Sequence, residues 1–404
     1  MVAITLSKPF KILCVIVLIT CLLYGLRKAS NSDNSSAMTH LTWQDRNLRI
    51  HHKINRVIAH LRTKYVPNRT PYEDAPPLMV LYSCNELPCG PWAKRLKDIT
   101  TAFYLAVSLD GTAFAVDMTS PIRLEWYFDN DPAGSAMTTD QAHHYLELHG
   151  KAKTGVAIDG SLDNETLATV DLNSKYRLSD TRVLQTRNLG NWMELTKNSI
   201  LSKNLKSYDL QTLSQEEWFA VARRFLFAKP SEWFRGLLEP YRNIMGGRVD
   251  SPRSLSLNDP ETLPTTEEQT TFRIGVHITD KKQAECFAKQ SERVCEKHAS
   301  DRKCYLFISS ANAEATQALR IAAGTQLTVR DVDSSYPYVD LDDPYTGTEN
   351  NSKIWYARVI MEWTILTRMD YLIGSDEFTE TAAWVAQSPY LQLRQDGCQA
   401  AVTV

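Results

Sequence analysis

Runs of consecutive apolar residues alternate along this chain with segments in which apolar residues recur every three or four positions, and that alternation predicts an α/β fold. Leu78-Met79-Val80-Leu81-Tyr82 reads as a buried strand, followed by the turn Cys89-Gly90-Pro91-Trp92. Ala93–Leu109 then places Leu96, Ile99, Phe103 and Val107 on one helical stripe, and Thr112–Asp117 returns as a strand, completing a βαβ unit. The same order recurs downstream. Ile274-Gly275-Val276-His277-Ile278 and Cys304–Ile308 are β-branched or aromatic runs, followed by a helix over Ala313–Ala323 and a strand over Gln326–Val329. Asn351–Thr367 carries Trp355, Val359, Ile360, Trp363 and Leu366 at helical spacing, before a strand at Tyr371–Gly374 and a helix at Ser375–Gln387. The expectation is two Rossmann-like α/β lobes facing a cleft.

Between the halves, Ser214–Phe227 and Trp233–Met245 read as helices, with Ser214 as cap, Glu217 three residues on and Pro230 interrupting. The stretch 127–206 is polar and predicts no chemistry; His143 and His144 read there as surface residues. Gly246–Thr271 is rich in Pro, Ser, Thr and Glu without periodicity and reads as an exposed connection.

At the amino end, Ile12–Leu26 is an uncharged apolar run of 15 residues between Lys8, Lys11 and Arg27, Lys28. It is short for ~30 Å of hydrocarbon, but basic flanks extend its reach by snorkelling. The absence of a small-x-small site and the basic residues directly after the run favour an uncleaved anchor over a signal peptide. His40–Tyr65 has partial helical spacing and reads as a stem, which the prolines of Pro67–Pro77 terminate. The expected division is tail and anchor 1–30, stem 31–77, first lobe 78–250, linker 251–271 and second lobe 272–404.

Composition narrows the function classes. A chain of 404 residues, 43% hydrophobic and 23% charged, is long enough for two domains, and a formal charge of −2 offers no basic field to nucleic acid. Asn34, Asn68, Asn164 and Asn350 each open a glycosylation triplet downstream of the apolar run, which favours a body in the secretory lumen. Cys14 and Cys21 lie inside that run; Cys84, Cys89, Cys286, Cys295, Cys304 and Cys398 remain, an even number that predicts disulfides. Cys84 and Cys89 are close enough for a local bridge, and connectivity is otherwise open. Paired Cys-x-x-Cys spacing, which a structural zinc would want, is absent.

Candidate chemistry collects at strand ends, where open α/β sheets bind ligands. At and just beyond the carboxyl end of Ile274–Ile278 lie His277, Thr279, Asp280, Lys281 and Glu285. At the first βα turn, Gly90 with Lys94, Arg95 and Lys97 would cradle an anion at a helix amino end. The simpler reading, preferred here, is a glycine that lets the chain turn and basic residues that solvate a helix face. Asp129-Asn130-Asp131, Asp331-Val332-Asp333 and Asp340-Leu341-Asp342 would suit a divalent cation on a nucleotide diphosphate. None of them follows the first βαβ unit as a metal-dependent donor fold wants, so metal dependence is the lesser reading.

Phe272–Glu285, FRIGVHITDKKQAE, resembles the donor-binding segment of GDP-fucose-dependent fucosyltransferases, particularly the α1,6-fucosyltransferase and nodulation fucosyltransferase branch. The match is an apolar-Gly-Val-His-apolar run, then Thr279-Asp280-Lys281, then Glu285 four residues after Lys281. Two adjacent arginines precede the Thr-Asp-Lys in that family; here Ile278 leads directly into Thr279. Pro88–Asp117 resembles the acceptor-side βα turn of the family, and Arg224–Ser231 with Leu238–Tyr241 resembles its helical link. The resemblance implies a GT-B-like architecture and inverting transfer of fucose from GDP-fucose to a glycan or glycoprotein, with no metal and no cofactor besides the donor substrate. It implies Glu285 as base, with Lys281 and Asp280 supporting it. His277, Thr279, Glu362, Ser375 and Thr379 would bind the donor, Glu362 at guanine and Ser375 and Thr379 at the phosphates. Residues 12–26 would anchor the chain in a Golgi membrane as a type II protein. The alternative is a glycan-binding or scaffold protein that kept the fold without transfer.

Overall fold

A computed structural model of the chain describes residues 43–65, 78–86, 88–109, 111–119, 121–129, 136–149, 156–159, 162–177, 181–227, 229–246, 270–299, 301–345, 347–394 and 400–403. The apolar run 12–26, Asn34, Asn68, the proline segment 67–77, Asp131, Cys398 and most of 246–271 lie outside them. No helix among the described residues is long and apolar enough to cross a membrane.

Helix α1 (Trp43–Lys64) buries Ile54, Val57 and Leu61 at helical spacing, and Tyr65 donates its hydroxyl to the Thr112 carbonyl at 2.8 Å. From Ile50 to Tyr65, the segment read as stem therefore belongs to the folded body. Strand β1 (Met79–Ser83), helix α2 (Trp92–Ser108) and strand β2 (Ala113–Asp117) form the expected βαβ unit, with β1 and β2 parallel in register from Met79↔Ala113 to Ser83↔Asp117. Phe128–Asp129 (β3) later pairs with Lys229–Pro230 (β6). The stretch that predicted nothing supplies helix α3 (Thr139–His149) and strands β4 (Val156–Asp159) and β5 (Val183–Thr186), which complete a parallel sheet of order β2-β1-β5-β4. Each of these strands is four residues long, too short for a period-two pattern to stand out from polar surroundings. Helix α4 (Gln215–Leu226) begins at Ser214 with a capping box to Glu217. The expected helix at Trp233–Met245 is shorter, Glu232–Leu238 followed by a 3-10 turn, because Pro240 has no N–H to continue it.

The second sheet contains β7 (Thr271–His277), β8 (Lys303–Ser309), β9 (Thr328–Asp331), β10 (Tyr371–Gly374), β11 (Tyr390–Leu393) and β12 (Ala400–Thr403). Its order is β12-β11-β10-β7-β8-β9, and only β12 runs antiparallel to its neighbour. Helix α5 (Ala284–His298) follows β7 and α6 (Ala313–Ala322) follows β8. The single helix expected over Asn351–Thr367 is two, α7 (Glu349–Trp355) and α8 (Ala357–Leu366), broken at Tyr356, whose hydroxyl reaches the Asp343 carbonyl at 2.5 Å. Helix α9 (Glu377–Ala386) precedes β11.

One buried apolar cluster contains residues of both halves, among them Phe103, Trp218, Trp363 and Val385. Trp92 on α2 meets Trp363 on α8 edge to face at 6.0 Å, and Trp384 on α9 packs on Phe219 of α4 at 5.4 Å. Beneath the second sheet, Arg273 and Asp370 form a two-pronged ion pair at 2.9 and 3.0 Å, both side chains only 1% exposed. Cys84–Cys89 and Cys295–Cys304 are disulfides, and Cys286 is also disulfide-bonded.

Candidate functional site

In the second sheet the chain moves outward from β7 through β8 to β9, then crosses to β10 on the other side of β7. A ligand crevice in such a sheet forms at the carboxyl ends of the two strands where the order reverses, here β7 and β10. His277 ends β7, and Asp376 lies two residues past Gly374, the last residue of β10. Their side chains meet, His277 Nδ1 to Asp376 Oδ2 at 2.5 Å. The imidazole is buried and stacks obliquely on Phe378 with centroids 4.7 Å apart, while its Nε2 has no hydrogen-bond partner. Burial works against the imidazolium, but the Asp376 carboxylate and, more weakly, Glu362 outweigh it, so His277 titrates above its ordinary value. For Asp376, burial raises and is outweighed by His277 and by the Thr379 N–H and hydroxyl, so its carboxyl titrates below its ordinary value.

Asp376 is also the cap of α9, accepting from Thr379 N at 3.0 Å and Thr379 Oγ1 at 3.1 Å. The hydroxyl expected at the donor phosphates thus bonds the carboxylate that orients His277. Gly374 is required for that approach, since a Cβ there would collide with the Thr379 side chain.

Glu362, expected at guanine, is wholly buried under the sheet tip. Its Oε2 accepts from Ser309 Oγ at 2.6 Å and Ser310 N at 3.1 Å, and its Oε1 from Arg358 Nε at 2.7 Å. Burial raises its carboxyl above the ordinary value, with Arg358 and Ser309 acting against the rise. Both oxygens are occupied by protein donors, so the carboxylate sets the position of Arg358 and of the turn after β8. Arg358 also donates to the Tyr336 carbonyl at 3.1 Å and lies 5.9 Å from the Tyr338 ring.

The remaining residues at this end of the sheet face solvent. Thr279, Asp280, Lys281 and Glu285 are exposed, and Ser375 is partly so. Asp280 caps the turn by accepting from Lys282 N at 2.9 Å. Lys281 pairs with Glu314 at 2.7 Å. Glu285 stands in the first turn of α5.

The first βα turn departs from the preferred sequence reading, because none of its three basic residues merely solvates a helix face. Arg95 is fully buried and donates to the Gly90 carbonyl at 2.7 Å, the Leu341 carbonyl at 3.0 Å and Asp342 Oδ1 at 2.7 Å. The Asp342 carboxylate also accepts from Cys89 N at 2.9 Å and from Gly90 N, which bonds Oδ2 at 2.9 Å. The anion at this helix amino end is therefore the chain's own. Gly90 has φ +87, a backbone that favours glycine. Lys94 pairs with Asp98, and Lys97 bridges Glu377 at 3.0 Å and Glu380 at 3.2 Å on α9. Asp331 pairs with Arg320 at 2.5 Å, so two of the Asp-x-Asp runs have a carboxylate committed to a guanidinium. Changing Asp342 to alanine is expected to cost about 2 kcal/mol in chemical denaturation because it removes the carboxylate paired with a buried guanidinium. The same change at exposed Asp343 is expected to stay within about 0.5 kcal/mol.

The structure thus joins His277 and Thr379 through Asp376, places Glu362 in a neighbouring buried group whose charge acts on His277, and leaves Thr279, Asp280, Lys281, Glu285 and Ser375 around them. Sequence reasoning missed Arg358, Ser309 and Ser310 as members. The four-residue spacing of Arg358 and Glu362 on a helix was the available signal. His143 is not a simple surface residue either: its Nε2 lies 2.9 Å from Asp117 Oδ2 at the end of β2, where Asp117 also accepts from Thr119 Oγ1 at 2.8 Å.

No protein-family model matches the sequence, and no curated protein matches it either. Among solved structures, FUT1 of Arabidopsis thaliana, a point mutant in complex with GDP, is similar over 89% of this chain and 81% of its own, with 12% identity and a TM-score of 0.51. The fucosyltransferase NodZ from Bradyrhizobium is similar over 79% of this chain and 96% of its own, at 11% identity and a TM-score of 0.45. POFUT1 in complex with GDP is similar over 79% of this chain and 99% of its own, at 11% identity and a TM-score of 0.41. Of these three only the first follows the backbone path closely enough to bear on the fold. The chain has an α/β fold with largely parallel sheets, and its backbone path is similar to that of the GDP-bound FUT1 mutant.

Proposed function

We propose that this protein is a glycosyltransferase that moves fucose from GDP-fucose to a glycan or glycoprotein hydroxyl with inversion, in the lumen of the secretory pathway. The observation that carries the reading is the buried His277–Asp376 pair at the reversal point of the second sheet, with an unpartnered Nε2. Asp376 holds Nδ1, which leaves Nε2 to donate to a phosphate oxygen of the donor. This buried imidazolium supplies a positive charge and a directed N–H in the segment where the arginine pair of the family is missing. Glu377 and Glu380, which would repel a diphosphate, are offset by Lys97. Glu285, exposed to solvent, takes the acceptor proton as the acceptor oxygen bonds the anomeric carbon and the bond to the diphosphate oxygen breaks. Lys281 and Asp280 shape that exposed turn, Ser375 and Thr279 contact donor oxygens, and Glu362 acts by positioning Arg358 and Ser310.

Thermal unfolding of the full chain with GDP and GDP-fucose, against UDP and ADP, tests this. A ligand at 100 times its Kd adds ~2.7 kcal/mol, a shift of several degrees. The expected result is a shift with the guanine nucleotides and transfer to a glycan panel. A folded chain that responds to none of the nucleotides overturns the reading, and a guanine-specific shift without transfer assigns the protein to the non-catalytic alternative.

A further inference from the structure

A second cluster of cationic groups lies away from the His277–Asp376 pair, around a cavity of about 40 Å³ where the ends of α4, α8 and α9 meet β6. Arg223, Arg224, Arg368, Thr364 and Thr367 line it, and no acidic side chain does. Arg223 is 8% exposed, Arg224 6% and Thr364 4%. The Nε of Arg223, the Nε of Arg224 and the Thr364 hydroxyl have no hydrogen-bond partner.

Among the described residues, no carboxylate pairs with Arg223 or Arg224. Arg223 donates to the Phe227 carbonyl, and its guanidinium lies over Phe128 at 4.3 Å and Trp363 at 5.2 Å; Arg224 donates to the Val385 carbonyl at 3.1 Å. Carbonyls and ring faces satisfy some N–H groups but leave a full positive charge at each residue. The other two fully buried arginines described above each have a carboxylate, Arg95 with Asp342 and Arg273 with Asp370. Burial, and after it the charge of Arg368, pulls Arg223 down to about 9, and burial alone pulls Arg224 down to about 10. A cation taken out of water without a counter-ion is unfavourable unless an anion joins it.

We propose that this cavity is a binding site for a small tetrahedral oxyanion, phosphate or sulfate or the terminal group of a phosphomonoester, held by Arg223 and Arg224 with the Thr364 hydroxyl as a further donor. Arginine suits the task because its planar fork matches two oxyanion oxygens at once. The site is distinct from the proposed donor site: Val385 and Ala386 close α9, whereas Asp376 opens it, and the ten residues between span about 15 Å. An occupied site ties together α4 of the first half and α8 and α9 of the second, so its first effect is on stability.

The test is calorimetric titration of the full chain with inorganic phosphate and with sulfate, together with thermal unfolding at constant ionic strength against chloride. The expected result is saturable binding and a saturable rise in Tm of several degrees. Thr364→Val keeps both arginines and the shape of the side chain and is expected to weaken binding about ten-fold; Arg224→Met is expected to abolish it. A Tm that climbs with phosphate without saturating, equally in wild type and Thr364→Val, is a general salt effect and overturns the site. So does phosphate binding that saturating GDP abolishes, since it places the ion at the nucleotide. Should GDP fail to bind at all, the phosphate titration and the Thr364→Val comparison still decide this proposal independently. Glucose 6-phosphate binding as tightly as inorganic phosphate would assign the oxyanion to a larger molecule, and its exclusion would assign it to the free ion; either supports the site.

Discussion

Glutamine in place of His277 is expected to lower the proposed fucosyl transfer about 100-fold or more while the chain remains folded, the size seen when one preorganised donor to developing negative charge is lost. Glutamine keeps a polar head of similar reach but cannot carry charge, so it removes what the Asp376 pairing creates. The pH dependence has two limbs. His277 titrates above its unfolded value, so its contribution is complete below the ordinary histidine value of about 6.5 and fades as pH rises through the raised value. Asp376 titrates below its unfolded value, so its contribution is present above about 3.9 and fades as pH falls through the lowered value. Activity and stability due to the pair therefore occupy the window between. In Asp376→Asn the upper limb of the pH–rate profile is expected to move to lower pH, because the imidazolium loses its main support. An upper limb that stays put in that variant, with wild-type thermal stability, would remove His277 from the mechanism.

The largest stability effect is expected at Asp370. Alanine there is expected to cost about 3–5 kcal/mol in chemical denaturation, because it strands the Arg273 guanidinium in an interior where both partners are almost fully buried. Asp370 also accepts from the Arg273 backbone N–H at 3.0 Å, so the change unpins the start of β7 from the segment leading into β10. The double variant Arg273→Met with Asp370→Leu is expected to recover much of that loss, since an apolar pair of similar volume needs no mutual charge. A loss below about 1 kcal/mol in Asp370→Ala would show that the pair does not organise this sheet.

Much of the architecture was legible in the chain. The strands near Leu78, Ile274, Cys304 and Tyr371 are apolar or β-branched runs bounded by turn residues, and a fully buried strand has that pattern. Strands β4 and β5 were not legible, because each is four residues in a polar stretch and is defined by its neighbours in the sheet. For the site, the motif around His277 pointed to the sheet end where the structure pairs His277 with Asp376, and local spacing drew attention to Lys281 and Glu285 in the exposed turn. The partner of His277 stands 99 positions later in the sequence, and Glu362 meets Ser309 across 53. No periodicity spans such separations.

Periodicity, turn chemistry and strand composition alone were enough for the α/β class and the succession of most elements, since each of these depends on residues close together in the chain. Which charges neutralise one another was decided only in three dimensions. Arg95 received Asp342 and Arg273 received Asp370, while Arg223 and Arg224 received no carboxylate among the described residues, although each of the four stands next to an apolar residue in the sequence. The reason is physical: the energy of a buried charge depends on the few ångströms around it, and packing, not chain order, determines what lies within them.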